Sequence, residues 1–409
     1  MKRVLIVGAG ASGLMAAISA ARAGAAVTVL EHNRQAGKKL LATGNGRCNL
    51  TNADQDLTHY RGTDPGFAGK VLGKFGVHDT LRLFTELGIF TRNRNGWLYP
   101  YSDQASAVAD VLRMEAEHRR VKLALNTQIQ DISREEHVFR ARTEGWTYEG
   151  EALILAAGSC AAPKTGSDGS GYGYARAFGH RVIAPLPALV QLRSKDSRLG
   201  KLSGLRMEAA ICLLIDGKEA IRDRGEVQFT SYGLSGIPVF QVSRFGVRAL
   251  NEKRQVQVCL NLMPVFQEAE LEAFFERRIR DGAYKRADEM LAGLFPGKMG
   301  VCLLKTAGIS GEKPAGRLTK EEKKALVCTC RNFRLEICGY NGFDQAQVCS
   351  GGVDTAQVNP ETMESGLVPG LYFAGEILDI DGACGGYNLQ WAWSSGWLAG
   401  RFAAKEQEL

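Results

Sequence analysis

Gly8, Gly10 and Gly13 raise the first chemical question. They stand in Gly8-Ala9-Gly10-Ala11-Ser12-Gly13, directly after an apolar run at 4–7 and ahead of an alanine-rich stretch at 13–24. A GxGxxG that ends a strand and opens a helix can hold the pyrophosphate of a dinucleotide. Gly8 permits the tight turn, Gly10 lets phosphate approach the backbone, and Gly13 packs the helix on the strand. The pyrophosphate then lies at the helix N-terminus, beside Ala11 and Ser12, where free amides and the dipole favour an anion. Glu31 closes a second strand-like run at 26–30. Its carboxylate can accept hydrogen bonds from an adenosine ribose.

The fingerprint alone fits FAD or NAD, and the far end of the chain separates them. Residues 371–376 read as a strand running into Gly375-Glu376, with Asp379, Asp381, Gly385, Gly386, Tyr387, Asn388 and Leu389 behind it. A stretch rich in small residues and tryptophan, 389–400, then reads as a helix. The pair of units resembles the two-part FAD site of many flavoproteins. The first unit holds the ADP half, and the second contacts the ribityl region and turns a helix N-terminus to the flavin pyrimidine. The run 153–158 (LILAAG) resembles the strand beside FAD in such proteins, which brings in Ala157 and Gly158. Ile129 matches the place where backbone wraps the adenine. FAD is expected to be held non-covalently.

The loop from Lys38 to Asn52, KKLLATGNGRCNLTN, carries chemistry of its own. Its glycines, Gly46 among them, let backbone pass beside a flat ring. Arg47 can offset pyrophosphate charge or lie near a flavin carbonyl, and Lys38 and Lys39 could reach phosphate. Cys48 stands without a second cysteine at CxxC or CxxxxC spacing, which argues against flavin–disulfide chemistry.

The same loop resembles the hallmark of a bacterial flavoprotein family, the aminoacetone oxidase-like and 3-dehydro-bile-acid delta-4,6-reductase-like proteins. Gly225-Glu226, Phe229-Thr230 and Gly233-Leu234-Ser235-Gly236 resemble its insert signature. Gly351-Gly352-Val353, Thr362-Met363-Glu364-Ser365 and the run from Gly375 to Gln390 resemble its later blocks. The chain departs from the family at Gly44-Asn45-Gly46, where three glycines are common, and at Gly96-Trp97-Leu98-Tyr99-Pro100. The resemblance implies an FAD oxidoreductase that moves hydride between flavin N5 and a small organic molecule. It allows NAD(P)H-linked reduction of an activated C=C bond, which is the favoured reading, or oxygen-dependent oxidation of a small amine. A redox-sensing or carrier flavoprotein without turnover is the alternative of another class. The scattered basic charge argues against an RNA-modifying flavoprotein.

These residues need a scaffold. Strand, helix and strand within the first thirty residues predict a Rossmann-like, parallel α/β domain. Helices are expected at 78–88 and 104–119, short strands between 121 and 149, and a break at Pro185 and Pro187. Strand-like pieces with glycine turns fill 189–263, and 267–327 turns helical, with Thr319 and Glu322 in capping-box spacing. The expected organisation is an FAD-binding domain at 1–187 and 333–409. An insert at 188–332 interrupts it: by resemblance a β-barrel at about 188–265, then a helical piece at about 266–332.

Composition narrows the remaining classes. Hydrophobic residues are 45% and charged residues 23%, the profile of a folded chain. No apolar run reaches the roughly 18 residues needed to span a bilayer. The net charge is +7, but basic groups such as Arg277, Arg278 and Arg280 or Lys320, Lys323 and Lys324 mingle with acids, as on solvated helices. Neither nucleic acid nor membrane is expected as a partner; the partner is a small-molecule substrate, and the state a monomer or homodimer. Ten cysteines in mostly apolar settings fit a reducing bacterial cytoplasm. Cys328-Thr329-Cys330, with Cys338 and Cys349, matches no zinc spacing, so no metal is expected. His180 is considered as a loop histidine near the flavin. No second fingerprint follows a strand, so NADH or NADPH would serve as a transient donor. The catalytic candidates are Cys48, Tyr172 and Tyr387, within a wider set of cleft residues: Tyr99, Tyr101, Tyr232 and Arg206.

Overall fold

The computed structural model describes residues 1–405. The chain separates into two compact units, Met1–Pro187 with Ala346–Leu409, and Ala188–Gln345. Each has its own hydrophobic core.

The first unit is built on five strands: β1 (Arg3–Val7), β2 (Ala26–Leu30), β3 (Lys122–Ala124), β4 (Ala152–Leu155) and β5 (Leu371–Phe373). Their order is β5-β4-β1-β2-β3, every neighbouring pair parallel. Such strands are covered on both faces, which is why β1 and β4 read as unbroken apolar runs. Helix α1 (Ala11–Arg22) joins β1 to β2. The order reverses between β1 and β4, and a ligand crevice is expected outside the carboxyl ends of those two strands.

Helix α2 (Tyr387–Ala403) closes this unit against α1. A Cβ on Gly396 would fall 2.4 Å from the Ser12 carbonyl oxygen, and one on Gly400 would fall 2.1 Å from that of Ala16. Small residues one turn apart thus let the two helix backbones touch. The indoles of Trp391 and Trp393 are buried beside this contact and donate to the carbonyls of Gly375 (3.0 Å) and Leu50 (2.9 Å).

In the second unit seven strands form one sheet. Its order is Phe333–Ile337, Val256–Asn261, Arg206–Ile215, Lys218–Thr230, Gly233–Ser235, Leu192–Arg193 and Gly339–Tyr340, each adjacent pair antiparallel. The helices Glu268–Asp281, Gly297–Thr306 and Lys320–Arg331 follow the strand Val256–Asn261. The last starts with the expected capping box: Glu322 N donates to Thr319 Oγ1 at 3.2 Å, and Thr319 N to Glu322 Oε2 at 2.7 Å.

Three local expectations need correction. Phe333–Ile337 pairs with Val256–Asn261, so it belongs with the insert rather than with the returning first domain. Composition cannot tell these apart, because both regions use the same strand-and-glycine style. Helix Ile237–Asn251 lies where strands and turns were expected. Gly236 at φ 107° turns the chain, Pro238 sits in the first turn where its missing N–H costs nothing, and Val239, Val242 and Val247 are buried. Finally, strand Val182–Ala188 runs through Pro185 and Pro187. It has one strand neighbour, Val348–Val353, and such an edge tolerates a missing donor.

Candidate cofactor and substrate site

The three fingerprint glycines are required for three different reasons. Gly8 has φ 98°, and a Cβ there would lie 2.6 Å from the Ala156 carbonyl oxygen at the end of β4. At Gly13 it would lie 1.9 Å from the Gly8 carbonyl oxygen, so helix and turn are in backbone contact. At Gly10 it would meet nothing within 4 Å. The first and third glycines answer to the fold, and the middle one borders open space at the start of α1. That turn carries no acidic side chain, so the amides of Ala11 and Ser12 present an uncompensated positive end.

Glu31 is 8% exposed and rigidly held. One oxygen accepts from Ala9 N (2.8 Å), the other from Asn33 N (2.8 Å) and Asn33 Nδ2 (2.7 Å). It borders a shallow recess whose walls include Gly8, Gln128, Ile129, Ala157 and Tyr174. The Tyr174 hydroxyl donates to the Ile129 carbonyl at 3.0 Å and holds that wall. Gly158 follows Ala157 at φ 76°. An acid at one end, an apolar wall and an open glycine beside a helix start fit the ADP half of FAD.

Lys38 is exposed and donates to Asn33 Oδ1 at 3.2 Å. Lys39 is engaged by the protein itself: its ammonium lies 2.6 Å from Glu376 Oε2 and 3.2 Å from the Ala161 carbonyl. Ser159 Oγ donates to the same Glu376 oxygen at 3.2 Å. Gly375, just before it, has φ 77° and lies against Ser12, where a Cβ would be 2.4 Å from the hydroxyl oxygen.

The other end of the site is assembled from segments far apart in the chain. Gly44, Asn45 and Gly46 take left-handed φ values of 57°, 55° and 82°, and a Cβ at Gly46 would meet open space. Arg47 beside them is exposed. The chain then dives under α2. Thr51 Oγ1 donates to Gln390 Oε1 at 2.6 Å, and Asn52 Nδ2 to the Gly385 carbonyl at 2.9 Å. Gln390 passes the bonding on to Thr80 Oγ1 and Ser394 Oγ, each at 2.9 Å. Gly386 has φ 96°, and its missing Cβ would lie 2.6 Å from the Thr51 carbonyl oxygen. The backbone it approaches is the protein's own.

Several expected cofactor contacts turn out to brace this loop. Asn388 Oδ1 accepts from Gly382 N and its Nδ2 donates to Gly382 O, both at 2.8 Å. The Asp379 carboxylate accepts from Thr63 N (2.8 Å) and Gly351 N (3.0 Å). Asp381 is buried opposite Arg61 in the pairing of Ile380–Gly382 with Tyr60–Gly62. Leu389 is half-buried in the first turn of α2.

The catalytic candidates separate clearly. Cys48 is completely buried at φ 58°, and burial pushes its thiol up to about 12. Tyr172 is buried, its hydroxyl without a hydrogen-bond partner among the described residues, and burial holds it well above the usual phenol range. Tyr387 opens α2 with its ring stacked on His59 at 4.4 Å and edge-on to Tyr60 at 5.6 Å. Burial, then the carboxylates of Asp54 and Asp56, push it up to about 12. His59 Nε2 lies 3.0 Å from Asp54 Oδ2. This Asp–His–Tyr array escaped the sequence reading because nothing in the spacing of 54, 59 and 387 joins them.

The remaining candidates are dispersed. Tyr99 borders the glycine loop, where a Cβ on Gly44 would lie 3.6 Å from its ring, while Tyr101 is 62% exposed beside Phe90. Tyr232 and Arg206 belong to the second unit, where Arg193 lies over the Tyr232 ring and Arg206 pairs with Glu226 at 3.3 Å. His180 is a core residue: its Nε2 lies 2.8 Å from Ser365 Oγ, its ring meets Phe373, and burial lowers its pKa.

A model of the HI0933-like protein Rossmann domain matches residues 2–402. The chain is 43% identical over 407 residues, 99% of its length and 100% of the relative's, to the 3-dehydro-bile acid delta(4,6)-reductase of Clostridium scindens. It is 31% identical over 394 residues, 96% of each chain, to the ribosomal RNA dihydrouridine synthase of Escherichia coli. Among solved structures, the 3-ketosteroid-delta4-(5alpha)-dehydrogenase of Rhodococcus jostii is similar at a TM-score of 0.48 and 16% identity, over 99% of this chain and 97% of that one.

Proposed function

The chain belongs to the HI0933-like Rossmann-domain family and is an FAD-dependent oxidoreductase; from that premise we propose that it reduces a carbon–carbon double bond conjugated to a carbonyl. The relatedness to a delta(4,6)-reductase across 99% of the chain carries this reading. The more distant dihydrouridine synthase supports the reaction class from another direction. A 3-oxo-4,6-diene and a uracil ring each place an alkene in conjugation with a carbonyl, and each gains one hydride and one proton on reduction. Bound FAD supplies the hydride, from its N5.

Gly8, Gly10, Ala11, Ser12 and Gly13 are assigned to the pyrophosphate, Glu31 to the ribose, and Ile129, Ala157 and Gly158 to the adenine side. Gly46, Arg47 and the turn Gly385–Tyr387 are assigned to the ring end. Tyr387 is assigned as the proton donor: burial pushes its hydroxyl up to about 12, so it is protonated at neutral pH, and the stacked His59 ring fixes its orientation. NADH or NADPH is assigned as a donor that visits the substrate position, since the sequence holds one dinucleotide fingerprint. The insert sheet is read as a closed barrel, because its two outermost strands, Phe333–Ile337 and Gly339–Tyr340, are separated in the chain only by Cys338.

The test is anaerobic. NADH or NADPH should bleach the flavin, and a 3-oxo-4,6-diene steroid should restore its colour with saturation of one double bond. Reoxidation by an unmodified ribosomal RNA transcript, with steroid inert, would transfer the reading to the RNA-directed relative's chemistry. Bleaching by a small amine, with neither nucleotide active, would replace reduction by amine oxidation.

A further inference from the structure

The hairpin at 91–100 carries side chains that the assigned site does not use. Strands Thr91–Arg94 and Trp97–Pro100 are antiparallel, with Arg92 opposite Tyr99 and Arg94 opposite Trp97. Residues directly opposite, and residues two apart, share a face of such a pair. One face therefore bears Arg92, Arg94, Trp97 and Tyr99, and a bond from Tyr101 N to the Phe90 carbonyl (2.8 Å) carries it on to Tyr101. Its inner end meets the glycine turns: a Cβ on Gly385 would lie 3.4 Å from the Trp97 indole, and one on Gly44 would lie 3.6 Å from the Tyr99 ring. Its outer end is open, with Tyr101 62% exposed.

The arginines lie on the rings. The Arg94 guanidinium carbon is 5.5 Å from the centre of the Tyr99 ring, and that of Arg92 is 5.5 Å from the centre of Tyr101. Both guanidiniums share one carboxylate oxygen, Asp103 Oδ2, which accepts from Arg94 Nη2 at 2.7 Å. Arg92 Nε has no hydrogen-bond partner among the described residues. Arg47 approaches from the glycine loop: burial raises the Tyr99 phenol, and Arg47 and Arg94 pull it back. Three positive charges in this cluster thus face the single carboxylate of Asp103, and the two hairpin arginines stay 32% and 39% exposed. Planar guanidinium forks above an aromatic row suit a carboxylate on a flat apolar body. Two unbalanced charges match one acid group, whereas a nucleic-acid strand asks for a longer basic track.

We propose that this hairpin face is a substrate-recognition site for a flat, apolar ring compound that bears a carboxylate, with the acid on Arg92 and Arg94 and the rings along Trp97 and Tyr101. This assignment rests on the reading of the chain as a reductase of a conjugated carbonyl compound, and it adds the charge that the substrate carries. Because the inner end of the row touches Gly44 and Gly385, a ligand held by the arginines is anchored beside the turns assigned to the ring end.

Oxidised, FAD-loaded protein is tested by equilibrium dialysis, with no electron donor present, against a 3-oxo-4,6-diene steroid bearing a side-chain carboxylate and against its methyl ester. The acid should bind about tenfold more tightly than the ester, the effect of a charged hydrogen bond, and its advantage should shrink as salt is raised. This comparison needs no variant. Arg92→Gln combined with Arg94→Gln should lower the acid to the ester's affinity and leave the ester unchanged, whereas Tyr101→Ala should weaken both ligands alike. An unchanged flavin spectrum verifies the fold of each variant. Equal binding of acid and ester by the unaltered protein would overturn the proposal. So would a double variant that weakens both equally, or a ribosomal RNA fragment that binds where neither steroid does. Selective acid binding with no reoxidation of reduced flavin would refute the reductase reading and leave the site standing. Reduction of acid and ester with equal KM would do the reverse.

Discussion

The two ends of the proposed cofactor site are built by different rules. At the proposed adenosine end the principal parts, Gly8 through Glu31, lie within a single strand–helix–strand unit; Gly13 packs on the nearby Gly8 carbonyl, and only Gly8 reaches further, to Ala156 at the end of β4. This second end joins residues 44–63 to residues 379–393, and side chains do the joining: Thr51 to Gln390, Asn52 to Gly385, Trp393 to Leu50. A local unit of this kind tolerates change elsewhere in the chain. An assembled one depends on every buried polar group keeping its partner, because an orphaned group costs its full desolvation.

The sharpest test of this contrast is Gly386→Val. A side chain at φ 96° would be forced into the Thr51 backbone at 2.6 Å, so the ring end should come apart. Loss of bound flavin, or a strongly shifted visible spectrum, is expected. Full occupancy with an unshifted spectrum would refute the close contact. Next comes Tyr387→Phe, which removes the assigned proton donor and leaves the ring stack. Substrate reduction should fall by about 10²-fold, while anaerobic flavin bleaching by NAD(P)H stays unchanged. Wild-type turnover should show no ionisation of Tyr387 between pH 6 and 9, because a group held near 12 is protonated throughout. Equal losses in both half-reactions would assign Tyr387 to binding.

Glu31→Ala probes the local end. It should weaken FAD binding by about 1.5–3 kcal/mol, roughly ten- to a hundredfold, as a charged hydrogen bond is lost. Unchanged affinity by fluorescence titration would detach Glu31 from the ribose. Gln390→Leu should cost the assembled end about 1–3 kcal/mol in denaturant melts by stranding the Thr51 and Thr80 hydroxyls. Smallest is Gly24→Ala. Its Cβ would meet nothing within 4 Å, so only the left-handed φ of 93° opposes it, at about 1–2 kcal/mol. Flavin affinity should not change.

The same contrast explains what could be read in advance. The Rossmann strands and helices were legible because buried parallel strands and amphipathic helices write continuous or periodic apolar patterns. Glu31 was legible because it stands at a set distance from a glycine turn. Lys39, Asp379 and Asn388 stood out in the sequence as candidate site residues. Their partners were not: Glu376, the amides of Thr63 and Gly351, and the backbone of Gly382. Helix Ile237–Asn251 was missed because Pro238 and Gly246 resemble punctuation until one knows that both face the sheet core.

The sequence by itself determined the glycine turn, the strand–helix–strand unit around it and the family, since these depend on φ preferences and apolar periodicity within a few turns of chain. Only the tertiary structure decided that Cys48 is buried, that Lys39 answers to Glu376, and that Tyr387 rests on His59. A thiol, an amide or a phenol is compatible with water as well as with many partners. Its burial and its neighbour, which set its pKa and its bonds, come from segments that meet only when the core closes.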